Sequence, residues 1–195
     1  MKKVLFMLVL VFGVIASIQA QDFVNCLVLD KTGSMVGIGD GHGQNIWDDV
    51  KQYCYDMVDN VSVPTKIVVF TFDEKTYGPQ LFDVRNSRDK EDVKNHLKSV
   101  QADGLSTAVY TAVKNAFDYL QENFKDSKKL IYLVTDGNDN ASSLSFDDIC
   151  EKFEMERSEY DYLYYIDLRS ILTEEMALKI ENTKGMRYGK GFTKT

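Results

Sequence analysis

Three apolar runs of strand length constrain the fold of this chain more than any other feature. They are Phe23–Leu29, Lys66–Phe72 and Leu130–Thr135, and stretches with apolar residues at helical spacing lie between them. Apolar character that is continuous rather than alternating indicates strands covered on both faces. Strands of this kind, separated by helices, predict an α/β fold: a doubly wound, mostly parallel sheet with helices on both faces.

Shorter elements complete the predicted sheet. Gly78-Pro79 predicts a turn, after which a short strand at Gln80–Val84 returns beside its neighbour as one antiparallel edge strand. Tyr160–Ile166 predicts a tyrosine-rich strand, and Met186–Phe192 predicts a last short one. The predicted helices begin near Ile46, Ser87, Thr107, Ser145 and Glu174.

The first twenty residues have the pattern of a secretory signal peptide. Lys2 and Lys3 precede the apolar run Val4–Ile18, and Ala20 offers a small residue for cleavage. We expect cleavage between Ala20 and Gln21, which leaves residues 21–195 as one domain, secreted to the periplasm or the exterior. Retention as a membrane anchor is the alternative, but the apolar run is shorter than the ~20 residues that span a bilayer.

Composition narrows the function classes. The formal net charge of −7 argues against nucleic acid and anionic membranes as partners. The three cysteines, Cys26, Cys54 and Cys150, permit at most one internal disulfide, whose pairing the sequence does not specify, or they are small buried apolar residues. His42 and His96 are the only histidines, and neither has a nucleophile at a spacing that predicts a hydrolase.

Oxygen-bearing side chains follow two of the predicted strands. Asp30, Thr32 and Ser34 come directly after the first strand, and Asp136 follows the strand that ends at Thr135. In doubly wound sheets, sites form at the carboxyl ends of the strands, near the point where the strand order reverses. Hard oxygen ligands suit a hard divalent cation, Mg²⁺ above all, with Mn²⁺ or Ca²⁺ as alternatives.

Three segments of the chain resemble the von Willebrand factor type A domain and its metal-ion-dependent adhesion site, in a secreted bacterial form. The segments are Asp30-Lys31-Thr32-Gly33-Ser34, then Asp103-Gly104-Leu105-Ser106-Thr107 ahead of an alanine-rich helix, and Thr135-Asp136-Gly137. The family's motifs are Asp-x-Ser-x-Ser, a threonine before such a helix, and Thr-Asp-Gly. The resemblance covers about residues 23–192.

The resemblance implies a role for each matching residue. Thr32 and Ser34 would bind the cation directly, and Thr107 would be a third, conformation-dependent ligand. Asp30 and Asp136 would act through bound water or through hydrogen bonds to those hydroxyls. An acidic residue of a protein partner would complete the coordination, so the protein would be a binding module and not an enzyme. Two positions depart from the family pattern: Thr32 replaces serine, and Leu105-Ser106 stands where Gly-Gly is common, so that Ser106 could serve instead of Thr107.

Two other functions fit parts of the same sequence. Asp30-Lys31-Thr32-Gly33 also resembles the phosphorylated loop of the haloacid-dehalogenase-like superfamily, with Asp30 as nucleophile and Asp136 and Asp139 holding Mg²⁺. Against it, phosphatases of that superfamily usually have an aspartate two residues after the nucleophile, and no segment supplies a cap domain. The other alternative is a structural subunit of an envelope complex that does not use a metal.

Five further aspartates lie near the predicted site or its helices. They form either a second cation site or, as we expect, a solvated acidic rim; they are Asp40, Asp48, Asp49, Asp73 and Asp139.

Overall fold

A computed structural model describes residues 23–38 and 44–191 of this protein. The predicted signal peptide, its cleavage site and Asp40 lie outside the described residues. In chain order the elements are β1 (Phe23–Asp30), a 3₁₀ turn (Gly33–Val36), α1 (Trp47–Asn60), β2 (Thr65–Phe72), β3 (Thr76–Val84), α2 (Ser87–Ser99), α3 (Val109–Asn123), β4 (Lys128–Thr135), α4 (Phe146–Glu156), β5 (Tyr162–Asp167), α5 (Glu174–Asn182) and β6 (Met186–Lys190).

The strands form one sheet in the order β3-β2-β1-β4-β5-β6. All neighbours are parallel except β2 and β3, which pair antiparallel at one edge. The chain builds outward from β1 on one side and then from β4 on the other, so the strand order reverses between these two central strands. The predicted α/β doubly wound fold with one antiparallel edge strand is therefore confirmed.

Each face of the sheet has its own apolar core. Residues of α3, α4 and α5, such as Phe117, Phe153 and Ile180, cover one face. Residues of α1 and α2, such as Val50 and Leu97, cover the other. The central strands are buried on both sides, which explains their continuous apolar sequence. Within the described ranges, no helix combines the length and the apolar character needed to cross a membrane.

The three cysteines are divided between these cores. Cys26 and Cys150 lie in the first core and Cys54 lies in the second, and all three are buried free thiols. They therefore pack as small apolar residues and form no disulfide.

The edge strand β3 differs from its prediction. Gly78 and Pro79 do not form a turn that precedes the strand; they lie inside β3, which begins at Thr76. Proline lacks a backbone N–H, and an edge strand tolerates it because one side of the strand has no partner. The register between β2 and β3 shifts between Val69 and Thr71, which accommodates the left-handed φ of 109° at Gly78.

Two predicted helix starts also differ. Asn86, not Ser87, caps α2: its side chain accepts hydrogen bonds from the backbone N–H groups of Arg88 and Asp89. Thr107 precedes α3, which begins two residues later at Val109. Ser145 does cap α4, in a reciprocal capping box with Asp148, as its spacing predicts.

Truncation of Phe117 should be costly, because its ring is buried on α3 and packs against Phe153 with ring centroids 5.0 Å apart. We expect Phe117→Ala to lower the free energy of unfolding by about 3–5 kcal/mol, as measured by urea denaturation. Met155→Ala is the matched control, since Met155 is 80% exposed on α4, and it should change stability by less than about 0.5 kcal/mol. Equal effects of the two variants would contradict the assignment of this core.

Candidate metal centre

The candidate site lies where the strand order reverses. Asp30 is the last residue of β1, and Thr135 is the last residue of the neighbouring strand β4. The pairing of Leu29 with Val134 brings these two ends side by side, and Asp136 follows immediately. Two residues about a hundred positions apart in sequence therefore share one edge of the sheet, as the sequence predicts.

The Asp30 carboxylate is fully buried and hydrogen-bonded on both oxygens. Its Oδ1 accepts from the backbone N–H of Thr32 at 2.9 Å and from the Thr32 hydroxyl at 2.7 Å. Its Oδ2 accepts from the Thr135 hydroxyl at 2.6 Å. Asp30 thus orients one predicted ligand and ties the two strand ends together, and both its oxygens are engaged.

A second carboxylate orients the other predicted hydroxyl. The Ser34 hydroxyl donates to Asp136 Oδ1 at 2.7 Å, and Asp136 is almost completely buried. The oxygens Thr32 Oγ1 and Ser34 Oγ lie 2.9 Å apart. Because each hydroxyl proton is directed to a carboxylate, the lone pairs of both oxygens can face a cation between them.

This geometry fits a small hard cation. Two ligands at right angles on Mg²⁺, each at about 2.0–2.1 Å, lie roughly 2.9 Å apart. Across residues 23–38 and 44–191, no group of three or more His, Cys, Asp or Glu side chains is placed to hold a metal ion. A cation at this edge of the sheet would therefore depend on hydroxyl oxygens as ligands, with the two carboxylates holding those hydroxyls in place.

Three loops meet at the site: the first follows β1 (residues 31–38), the second follows α2 (residues 100–108) and the third follows β4 (residues 136–145). Thr107, in the second loop, is fixed against the third. Its backbone N–H donates to the Asn140 side chain at 2.8 Å, and its carbonyl accepts from Asn140 N at 2.9 Å and from Ala141 N at 3.2 Å. A Cβ placed on Gly137 would lie 3.5 Å from Thr107 Oγ1, so this hydroxyl lies beside the loop that carries Asp136. The structure thus joins Asp30, Thr32, Ser34 and Asp136 by hydrogen bonds and places Thr107 beside the loop that carries Asp136.

Asp139 has a structural role rather than a place in a solvated rim. Its Oδ2 accepts from the backbone N–H of Tyr110 and its Oδ1 from that of Ser142, both at 2.9 Å. The Ser142 hydroxyl accepts from the N–H of Thr111 at 2.9 Å. Because Ala108 makes no side-chain cap, the third loop caps α3 in its place. The expectation of an acidic rim was wrong for this residue.

Asp73 is a second correction to the expected rim. It is 2% exposed and pairs with the ammonium group of Lys31, which also contacts Asp103. A Cβ on Gly104 would lie only 2.2 Å from the Asp73 Cβ, so the second loop packs tightly against Asp73 and requires glycine there. A backbone hydrogen bond from Gly33 N to Gly104 O, at 2.8 Å, also joins the first two loops.

Arg169 is the residue that sequence reasoning missed. Its Nε donates to Asp136 Oδ2 at 2.7 Å, and its Nη2 donates to the carbonyls of Ser34 and Gln44, each at 3.0 Å. Arg169 follows β5 in a segment that carries no motif. Only the placement of β5 next to β4 brings it to the site, so no sequence signal marked it.

Burial controls the charge of Asp30. It raises the pKa of the Asp30 carboxyl from 3.8 to about 7, because a carboxylate at this depth loses its hydration. The hydrogen bonds from Thr135 and Thr32 oppose this rise, and the neighbouring Asp136 adds to it. The ionised form of this buried group is therefore disfavoured unless a positive charge lies nearby.

Comparison with known proteins agrees with this architecture. The family model for the von Willebrand factor type A domain matches residues 26–138. These residues include Asp30, Thr32, Ser34, Thr107 and Asp136, and the six-stranded sheet with helices on both faces is the fold of that class. The chain belongs to the von Willebrand factor type A domain family, whose members are typically binding modules rather than enzymes.

The individual relatives share low sequence identity with this chain. The chain is 29% identical over 133 residues to calcium-activated chloride channel regulator 1 of Equus caballus, a match that covers 68% of this chain and 14% of the relative. It thus spans a small part of the curated proteins that it resembles. A von Willebrand factor type A structure from Catenulispora acidiphila superposes with a TM-score of 0.67 at 16% identity, over 88% of this chain and 39% of that one.

A third relative bears on metal binding in this family. Proximal thread matrix protein 1 from the mussel byssus superposes with a TM-score of 0.65 at 20% identity, over 88% of this chain and 42% of that one. That structure has a zinc-occupied metal-ion-dependent adhesion motif. The likeness shows a shared fold, and it shows that a domain of this fold can hold a divalent cation at such a motif.

The raised pKa of Asp30 predicts a specific pH dependence. Between its ordinary value of 3.8 and about 7, the folded state holds the Asp30 proton more tightly than the unfolded state does. The contribution of Asp30 to stability is therefore highest at low pH and falls by about 4 kcal/mol as the pH rises through this window.

Asp30→Asn should remove this dependence, because an amide cannot ionise and its Oδ1 can still accept the hydrogen bonds from Thr32. Urea denaturation in EDTA, from about pH 4 to about pH 8, should show the parent losing stability relative to the variant as pH rises. Parallel stability curves for the two proteins would contradict the buried, desolvated state of Asp30.

Proposed function

We propose that this protein is a secreted binding module that holds a divalent cation through Asp30, Thr32, Ser34, Thr107 and Asp136. Through that cation it binds an acidic group on a protein partner. The observation that carries the proposal is the pair of hydroxyls, Thr32 Oγ1 and Ser34 Oγ, 2.9 Å apart, each donating its proton to a buried carboxylate. A bound cation would supply a Lewis-acidic position for an oxygen ligand.

The different roles of the five residues support partner binding. Thr32, Ser34 and Thr107 would offer neutral oxygens, and Asp30 and Asp136 would hold the hydroxyls rather than the cation. Direct coordination by neutral oxygens leaves the cation poorly neutralised, and a carboxylate from a partner would then be attracted to it. The acidic surface, with a formal charge of −7, does not favour nucleic acid as that partner.

Mg²⁺ is the cation we favour, with Mn²⁺ or Ca²⁺ as alternatives, because every proposed ligand is a hard oxygen. Zinc in the mussel relative shows that related motifs can hold another divalent ion. We place the protein outside the cytoplasm, in the periplasm or the exterior, on the signal-peptide pattern of residues 1–20.

A binding role fits Asp30 better than the phosphatase alternative does. A nucleophilic aspartate needs a free oxygen that can approach phosphorus, whereas Asp30 is fully buried with hydrogen bonds on both oxygens. Asp139, a metal ligand in that alternative, caps α3 instead. Lys31, which stands next to Asp30, is held by Asp73 and Asp103.

Cation binding is tested by removing one hydroxyl. In calorimetric titrations with Mg²⁺ and Mn²⁺, the parent should bind with millimolar or tighter affinity, and Ser34→Ala should bind at least about tenfold more weakly, since a direct ligand is lost. Ser99→Ala removes a hydroxyl at the exposed end of α2 and should bind like the parent. Indistinguishable titrations of Ser34→Ala and the parent would overturn the ligand assignment.

Partner binding is tested separately by chelation. Immobilised protein, cross-linked to captured proteins from the secreted and envelope fractions of its source, should retain a partner with Mg²⁺ present and lose it in EDTA. Ser34→Ala should behave like the chelated parent even with Mg²⁺. Capture that is unchanged in EDTA would instead favour a structural subunit that does not use the metal.

A further inference from the structure

Arg169 brings a positive charge into the candidate metal centre from outside the three loops. It follows β5, and the backbone bond from Leu168 N to Thr135 O, at 2.9 Å, anchors that segment to the end of β4. Its guanidinium meets the Asp136 carboxylate at 2.7 Å. The side chain of Arg169 is 12% exposed and that of Asp136 is 0% exposed, so this ion pair lies almost entirely out of solvent.

The ion pair changes the charge of the site. Two ionised carboxylates, Asp30 and Asp136, would balance the two charges of a divalent cation in the site as a whole, although they hold the hydroxyls rather than the cation. With Arg169 present, the loaded site keeps one net positive charge. We propose that Arg169 sets this charge: it weakens cation binding and strengthens binding of an anionic group to the loaded site. This inference rests on the proposed function, and it states how Arg169 adjusts the affinities of the same site for cations and anions.

Burial makes the effect of Arg169 substantial. Opposite charges attract, and like charges repel, more strongly where little water separates them. Asp136 Oδ2 is committed to Arg169 Nε, which leaves only Oδ1, already bonded to Ser34, facing the hydroxyls. A cation that approaches Ser34 therefore meets a carboxylate whose charge is already paired. A carboxylate of a partner would be attracted to the guanidinium as well as to the cation.

The remaining donors of Arg169 make it a positioning residue as well. Its Nη2 bridges the carbonyls of Ser34 and Gln44, so one planar group holds the backbone of a predicted ligand and its counter-carboxylate together. A lysine at this position would keep the charge but could not reproduce the rigid fork of donors. Arg169→Lys therefore separates the charge of the guanidinium from its geometry.

The first test measures cation affinity. In calorimetric titrations with Mg²⁺, Arg169→Gln should bind on the order of tenfold more tightly than the parent, because the opposing charge is gone. Arg169→Lys should remain close to the parent. Arg88→Gln is the matched control for the lost charge. Arg88 lies at the start of α2, near the end of the sheet opposite the site, where Val84 pairs with Thr65. Its replacement should not change the Mg²⁺ affinity.

The second test measures the anion. With each protein saturated with Mn²⁺, acetate is added as the carboxylate probe, and paramagnetic broadening of its methyl resonance reports binding. Acetate should bind several-fold more weakly to Arg169→Gln than to the parent, with Arg88→Gln unchanged. Circular dichroism in EDTA checks folding of each variant. Should Arg169→Gln be unfolded, Arg169→Met, which keeps the aliphatic stem, takes its place.

The outcomes separate this inference from the function on which it rests. Equal or weaker Mg²⁺ binding by a folded Arg169→Gln, with the parent binding normally, overturns the inference and leaves the proposed function intact. An Arg169→Lys variant that behaves like Arg169→Gln overturns the role of charge. Failure of every variant and the parent to bind Mg²⁺ overturns the proposed function and the inference with it.

Discussion

The site depends on the hydrogen bonds that the Asp30 carboxylate accepts. They join the end of β1 to the end of β4 through Thr135, and they hold the Thr32 hydroxyl oxygen 2.9 Å from that of Ser34. A carboxylate without hydration is costly unless its oxygens are paired, so the surrounding donors are requirements of the fold before they are parts of a binding site. The same bonds that stabilise the buried charge leave the hydroxyl lone pairs directed outward, where a cation can use them.

The three loops hold one another in place through ordinary secondary-structure chemistry. The third loop caps α3 through Asp139 and Ser142, and Asn140 holds the backbone of Thr107. Lys31 and Asp73 join the first loop to the turn after β2. Each loop thus reaches the site already fixed at a second point, and movement of one must carry a helix or strand end with it. The site is built on rigid elements, although its residues lie in loops.

Much of this arrangement could be predicted from the sequence. Continuous apolar runs identify β1, β2 and β4 as central strands, and residues that end parallel strands must meet at one edge, which places Asp30 beside Asp136. Gly78-Pro79 was misplaced because the tolerance of an edge strand for proline depends on having no neighbour. Sequence patterns did not predict the roles of Asp139, Asp73 and Arg169, because their partners, α3, Lys31 and Asp136 respectively, are distant in sequence. Local patterns do not show which distant residues pair.

The three free thiols would matter in an oxidising compartment, to which the proposed secretion would deliver the chain. Cys26 and Cys54 are fully buried, burial raises the pKa of the Cys54 thiol to about 12, and Cys26 shifts in the same direction. Thiolates, which are the species that exchange disulfides, are therefore scarce in the folded protein, and oxidants reach none of these sulfurs easily. In an oxidising compartment the hazard is confined to the interval before folding, when an odd number of exposed thiols can cross-link to other chains. Rapid closure of the two cores would be the protein's protection against oxidation.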